Sequence, residues 1–124
     1  MTALNPKEEH DAVVRALCKE NEAKFKVLNN LDEEKHYVAG RFPDIIFQDK
    51  EGKLMFILEV RKNGTIAECI QQWKSVKPLP AFLYVVVPES DLQNAKSIAR
   101  VIGLNVKFAS YTLDAQNKVT IKYE

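Results

Sequence analysis

Ala81-Phe82-Leu83-Tyr84-Val85-Val86-Val87 runs without a polar break between Pro80 and Pro88. The run is too short to span a bilayer, and the flanking prolines stop it from growing into a helix. β-Branched and aromatic residues dominate it, so it reads as an interior strand. A strand that is apolar on both faces has to be covered on both faces. The rest of the chain must therefore supply a sheet for this strand to join and helices to cover it.

The flanking sequence fits that need. Thr65 to Val76 carries Ile66, Ile70, Trp73 and Val76 at helical spacing, with a Thr65-x-x-Glu68 capping-box pattern at its start and Pro78 and Pro80 beyond its end. Ser90-x-x-Gln93 opens a second such pattern, with Leu92, Ala95, Ile98, Ala99 and Ile102 on one face and Gly103 as its stop. A third helix is expected from Pro6, capped by Asn5 with Glu8 three residues on, and with Ala12, Val13, Ala16 and Leu17 on its apolar face. A polar stretch from Asn29 to Lys35 follows it. Tyr37-Val38-Ala39 is short and β-prone, and Gly40 breaks it.

Ile45-Ile46-Phe47 and Leu54-Met55-Phe56-Ile57-Leu58 flank the turn Asp49-Lys50-Glu51-Gly52 and predict a hairpin. The second of these runs is apolar on both faces until Glu59. Val106–Leu113 and Val119–Tyr123 are more polar and read as strands towards the sheet edge. Helices between buried strands imply crossover connections and a mixed sheet. The expected class is α/β: a three-layer α/β/α sandwich around a central mixed sheet.

Composition excludes several functions. The chain has 124 residues, a net charge of +1 and two cysteines, Cys18 and Cys69, with no CxxC. Bulk charge does not mark a nucleic-acid binder, so any such role must rest on a local site. The lone cysteines predict reduced core thiols and a cytoplasmic setting. Met1 to His10 is polar and acidic, without the basic-then-apolar pattern of a secretory leader. No stretch is long and apolar enough to span a membrane. With no internal repeat, low-complexity tract or Gly/Ser linker, one domain over 1–124 is expected. The four glycines form no phosphate-cradling loop, and no GxSxG occurs. His10 and His36 lack partners at metal-ligand spacing, so surface or helix-packing roles are expected for them. Core packing is the default role for Trp73.

The acidic residues at strand ends carry the chemistry. Asp44 begins or interrupts one hairpin strand, and Glu59 lies 15 positions later, near the end of its partner. Glu59 and Arg61 share a face, and Val60 and Lys62 share the opposite one. Two carboxylates on adjacent strands could share a hard cation, which would polarise a phosphate and lower the pKa of an attacking water.

Gly40-Arg41-Phe42-Pro43-Asp44, the turn, and Phe56-Ile57-Leu58-Glu59-Val60-Arg61 resemble the PD-(D/E)XK nuclease superfamily. The resemblance in element order covers roughly Pro6 to Leu113. It implies a restriction-endonuclease-like domain and a metal-dependent endonuclease or resolvase-like phosphodiesterase acting on nucleic acid, DNA above all. Asp44 and Glu59 would bind Mg²⁺ or Mn²⁺, with Glu9, or alternatively Glu8, contributing from the first helix. Gln71 or Gln72 would be the polar residue supplied by the following helix. The motif's lysine is replaced by Arg61, which cannot act as a base but can still neutralise phosphate charge. Lys62, re-aimed by a bulge, or Lys74 would be its substitute. A domain this small would need a homodimer or a partner subunit for two-strand cleavage. The alternative is a catalytically impaired nuclease-like module that binds DNA or a protein partner.

Overall fold

The computed structural model describes residues 3–124; the leader expectation thus rests partly on Met1 and Thr2, outside the described residues. Over these residues the order is α1 (Pro6–Asn21), β1 (Lys26–Asn29), β2 (Ile45–Gln48), β3 (Leu54–Val60), α2 (Thr65–Lys74), β4 (Phe82–Pro88), α3 (Leu92–Ile102), β5 (Lys107–Leu113) and β6 (Val119–Tyr123). The six strands form one mixed sheet in the order β1-β2-β3-β4-β5-β6. β3, β4 and β5 run parallel to their neighbours in that trio, and the outer pairings are antiparallel. The class is α/β. No helix among the described residues is long and apolar enough to cross a membrane.

Alternate residues of the strands enter two hydrophobic clusters. Leu58, Val60 and Val86 join Val13, Val14 and Leu17 of α1. Ile57, Leu83 and Val85 join Ile66, Ile70 and Trp73 of α2 and Ala95 and Ala99 of α3. Burying side chains of this size stabilises by about 1.5–3 kcal/mol each, which is why the run around Val85 sets the architecture.

Helix α1 starts as its sequence predicts. The Asn5 side chain accepts from the Glu8 amide at 2.8 Å, and Glu8 accepts from the Asn5 amide at 3.0 Å. Its buried stripe is Val13, Val14 and Leu17, rotated slightly from the predicted one, with Ala12 and Ala16 at its margins. The other two capping boxes do not form. Thr65 lies inside α2, and its hydroxyl donates to the Lys62 carbonyl at 2.8 Å. A short 3-10 turn, Glu89–Asp91, leads into α3, and the Asp91 carboxylate accepts from the Asn63 amide at 3.0 Å instead of capping the helix. Gly103 ends α3 in the left-handed conformation, φ 82°, as its position predicts.

β1 is an edge strand that the sequence pattern does not reveal. The Tyr37–Ala39 segment forms no strand beyond one bridge between Val38 and Arg41, around Ala39 and Gly40 at φ 52° and 78°. That tight turn needs positive φ at both central positions, and Gly40 meets one of them without steric cost.

Candidate functional site

The β2–β3 register pairs Ile45 with Leu58, which sets Asp44 opposite Glu59 one step further on. The Asp44 amide donates to Glu59 Oε1 at 3.1 Å, and the Val60 amide donates to Asp44 Oδ2 at 2.7 Å. Arg61 follows β3 directly and spans both acids. Its Nη1 lies 2.9 Å from Asp44 Oδ2, and its Nη2 lies 3.3 Å from Glu59 Oε1. One guanidinium thus holds the pair together.

Two residues outside the predicted set complete this cluster. Trp73 of α2 donates from Nε1 to Glu59 Oε2 at 2.9 Å. His10 of α1 places Nε2 3.0 Å from Asp44 Oδ1 and Nδ1 3.0 Å from Asp11 Oδ1. An ionised carboxylate has no proton to give, so both ring nitrogens must donate and the geometry calls for an imidazolium. Lys7 in turn pairs with Asp11 at 2.8 Å. A continuous chain of polar contacts runs from the surface at Lys7 to the core at Trp73.

The ionisation of each group follows from its neighbours. The hydrogen bond to Asp44 raises the His10 pKa against the opposing effect of burial, and the charge of Asp44 and the hydrogen bond and charge of Asp11 add to the rise. Burial pushes the Asp44 carboxyl up, but His10, Arg61 and the Val60 amide together hold it below its usual value. Burial dominates at Glu59 and raises its pKa despite Arg61 and Trp73. For Arg61, burial opposes the charge, yet the two carboxylates hold it protonated more firmly than in water. Cys69, buried close by, is pushed up to about 12 by burial and then by Glu59, so it is an inert core thiol.

A second cluster lies beside the first. Glu9 of α1 accepts from Tyr111 Oη at 2.6 Å and from Lys62 Nζ at 3.1 Å. Lys62 therefore reaches α1 and not the Asp44–Glu59 pair. Glu9, Lys62, Asn63 and Tyr111 line two adjoining clefts of about 630 and 610 Å³. His10 and Arg61 reach the wall of the larger one, while Asp44 and Glu59 are among the lining residues of neither. Of the remaining predicted residues, Glu8 is occupied in the α1 cap, Gln71 is exposed, and Gln72 pairs with Glu68 at 3.4 Å. Lys74 donates to the Gly103 carbonyl at 2.8 Å, at the far end of α3.

The donor set does not fit a divalent cation as it stands. All four oxygens of Asp44 and Glu59 already accept hydrogen bonds, from His10, Arg61, Val60, Asp44's own amide and Trp73. A metal would have to displace Arg61, and the two side-chain cations already match the two carboxylate charges. Among the described residues, no group of three or more His, Cys, Asp or Glu is arranged to hold a metal ion.

His10 and Trp73 are functional candidates that sequence reasoning assigns to packing. Their common signal is continuity with a buried stripe: His10 stands three, four and seven residues before Val13, Val14 and Leu17. A polar group in such a stripe needs a partner, and an acid ending a buried strand supplies one.

No family model, curated protein or solved structure matches the chain.

Proposed function

We propose that this chain is a catalytically impaired nuclease-like module that binds nucleic acid and does not hydrolyse it. Arg61 seated across Asp44 and Glu59 carries this reading. In the motif that the chain resembles, this position holds a lysine and the acids hold a metal. Here an arginine and a histidinium supply two positive charges where a divalent ion would supply them. The proposed scaffold is a three-layer α/β/α, restriction-endonuclease-like sandwich. It is supported by α1 sharing a cluster with Leu58 and Val86 while α2 and α3 share the other with Ile57 and Val85.

A second reading, a metal-dependent endonuclease working as a homodimer or with a partner subunit, is favoured by the register that sets Asp44 opposite Glu59. It requires Arg61 to swing out when Mg²⁺ or Mn²⁺ enters. Cleavage of labelled single-stranded, duplex and branched DNA and RNA with either metal separates the two. The module reading expects no cleavage by the folded wild-type protein. Metal-dependent cleavage that Asp44→Asn abolishes would overturn it, and a gain of cleavage in Arg61→Lys alone would identify the arginine as the impairment.

A further inference from the structure

We infer that the part of the sheet left open beyond the end of α1 is a docking surface for unpaired bases of a single-stranded nucleic acid. The inference rests on the binding reading above and names its surface. Helix α1 shares a cluster with the Val60, Val86 and Tyr111 part of this face and ends at Asn21, whose amide donates to Tyr123 Oη at 3.0 Å. Beyond it Phe25 stacks on Phe47 at 5.0 Å and meets Phe56 edge-on at 5.7 Å, and the strands carry a row of aromatic rings that continues past this cover. Phe56 is the centre, with ring centroids 6.4 Å from Phe47, 6.0 Å from Phe82 and 5.6 Å from Tyr84. Tyr84 continues the row to Tyr123 at 6.2 Å. Phe47, at 4% exposed, belongs to the core, whereas Phe82 is 59% exposed and Tyr123 42% exposed, so the row opens to solvent at its Phe82 and Tyr123 ends.

Charge selects the occupant. Lys107 Nζ stands 5.1 Å from the centroid of Phe82, and Lys24 lines a groove of about 220 Å³ between Phe56, Tyr84 and Tyr123. No carboxylate lines that groove among the described residues. The smaller cleft beside Lys62, by contrast, includes Glu9, Glu89 and Asp91, which repel phosphate, and the larger, though lined by His10, Arg61 and Lys62, has Tyr111 alone among Phe, Tyr and Trp on its walls. Aromatic rings flanked by lysines suit bases that can stack while their phosphates pair with ammonium groups. A duplex hides the base faces and gains little here.

The test is fluorescence anisotropy with a labelled deoxythymidine dodecamer, compared with a hairpin duplex, across a salt series. Phe82 and Lys107 are exposed, so Phe82→Ala and Lys107→Gln should keep the fold, which a melting curve verifies. The wild type should prefer the single strand, with a log–log salt slope of about −1.4 if two phosphates are neutralised. Phe82→Ala should weaken binding roughly 5- to 160-fold, and Lys107→Gln should flatten the slope by about 0.7. Val101→Ser, on an exposed position of α3, should change nothing. Dodecamer binding that both Phe82→Ala and Lys107→Gln leave intact would overturn the surface while leaving the binding reading in place. A preference for duplex would do the same. Absence of any nucleic-acid binding would overturn both, and concentration-dependent self-association lost in Phe82→Ala would assign the face to a second copy of the chain.

Discussion

Replacing Arg61 with alanine tests the reasoning about the acidic pair most directly. The side chains of Arg61, Asp44 and Glu59 are 25%, 16% and 5% exposed, so their charges are mostly shielded from water. Removing one partner of a buried ion pair costs about 3–5 kcal/mol, and partial solvent access at Arg61 reduces that to about 2–4 kcal/mol. For a chain of this size each kcal/mol moves the melting midpoint by roughly 3–5 °C, so a fall of roughly 6–20 °C is expected. The variant also exposes two carboxylates that only His10 now balances. Mg²⁺ or Mn²⁺ should bind there and restore stability by about 2.7 kcal/mol at a hundredfold excess over its dissociation constant. The assay is thermal melting of wild type and Arg61→Ala with and without metal. The expected pattern is rescue of the variant and little response from the wild type. A destabilisation under about 1 kcal/mol, or an equal metal response in both proteins, would refute the claim that Arg61 occupies the cation position.

His10 binds its proton more tightly folded than unfolded, so its stabilising effect is whole below its ordinary pKa of 6.5 and disappears as pH rises through the raised folded value. The melting midpoint of the wild type should therefore fall relative to His10→Gln across that window, and parallel curves would refute the imidazolium assignment. Asp44 has the opposite sign: its contribution is present above 3.8 and lost as pH falls through the depressed folded value, so Asp44→Asn should flatten the acid limb of the stability curve. Trp73→Phe keeps the ring but removes the donor to Glu59, which should cost about 1.5–3 kcal/mol. Denaturant melts would measure it, and Glu59→Gln combined with Trp73→Phe should cost less than the sum of the single changes.

The pattern elements visible in the sequence are those whose cause is local. The prolines around Ala81–Val87, the turn at Asp49–Gly52, the reciprocal cap of Asn5 and Glu8 and the left-handed stop at Gly103 each act within a few residues, and each stands where the sequence places it. The Thr65 and Ser90 capping boxes do not form because the side chains at these two helix starts take other partners. Thr65 turns to the Lys62 carbonyl, and Asp91, beside Ser90, is drawn to the Asn63 amide across the sheet end. β1 is invisible because its cause is not local: Lys26-Val-Leu-Asn29 has no alternation of its own, and only its pairing with β2 makes it a strand.

The candidate site follows the same division. That Asp44 and Glu59 would meet is legible, because hairpin register is set by the turn and by strand alternation. That Arg61 would close over them is half legible: alternation puts it on the Glu59 face, but its distance to Asp44 depends on where the chain turns after Val60. His10 comes from a helix more than thirty residues earlier, and no spacing rule connects it to Asp44. What connects them is electrostatics. A carboxylate pair at the edge of an apolar core must be neutralised, and that neutralisation can come from a metal, from a proton, or from side chains that the fold brings in. This chain uses side chains from both directions: Arg61 from the strand itself and His10 from α1. In the proposed reading, where Arg61 stands at the lysine position of the motif that the chain resembles, the exchange is therefore more than the loss of a base. Its planar fork can reach two carboxylates at once, which a single ammonium does less well, and that reach turns a pair of candidate metal ligands into a closed ionic clasp.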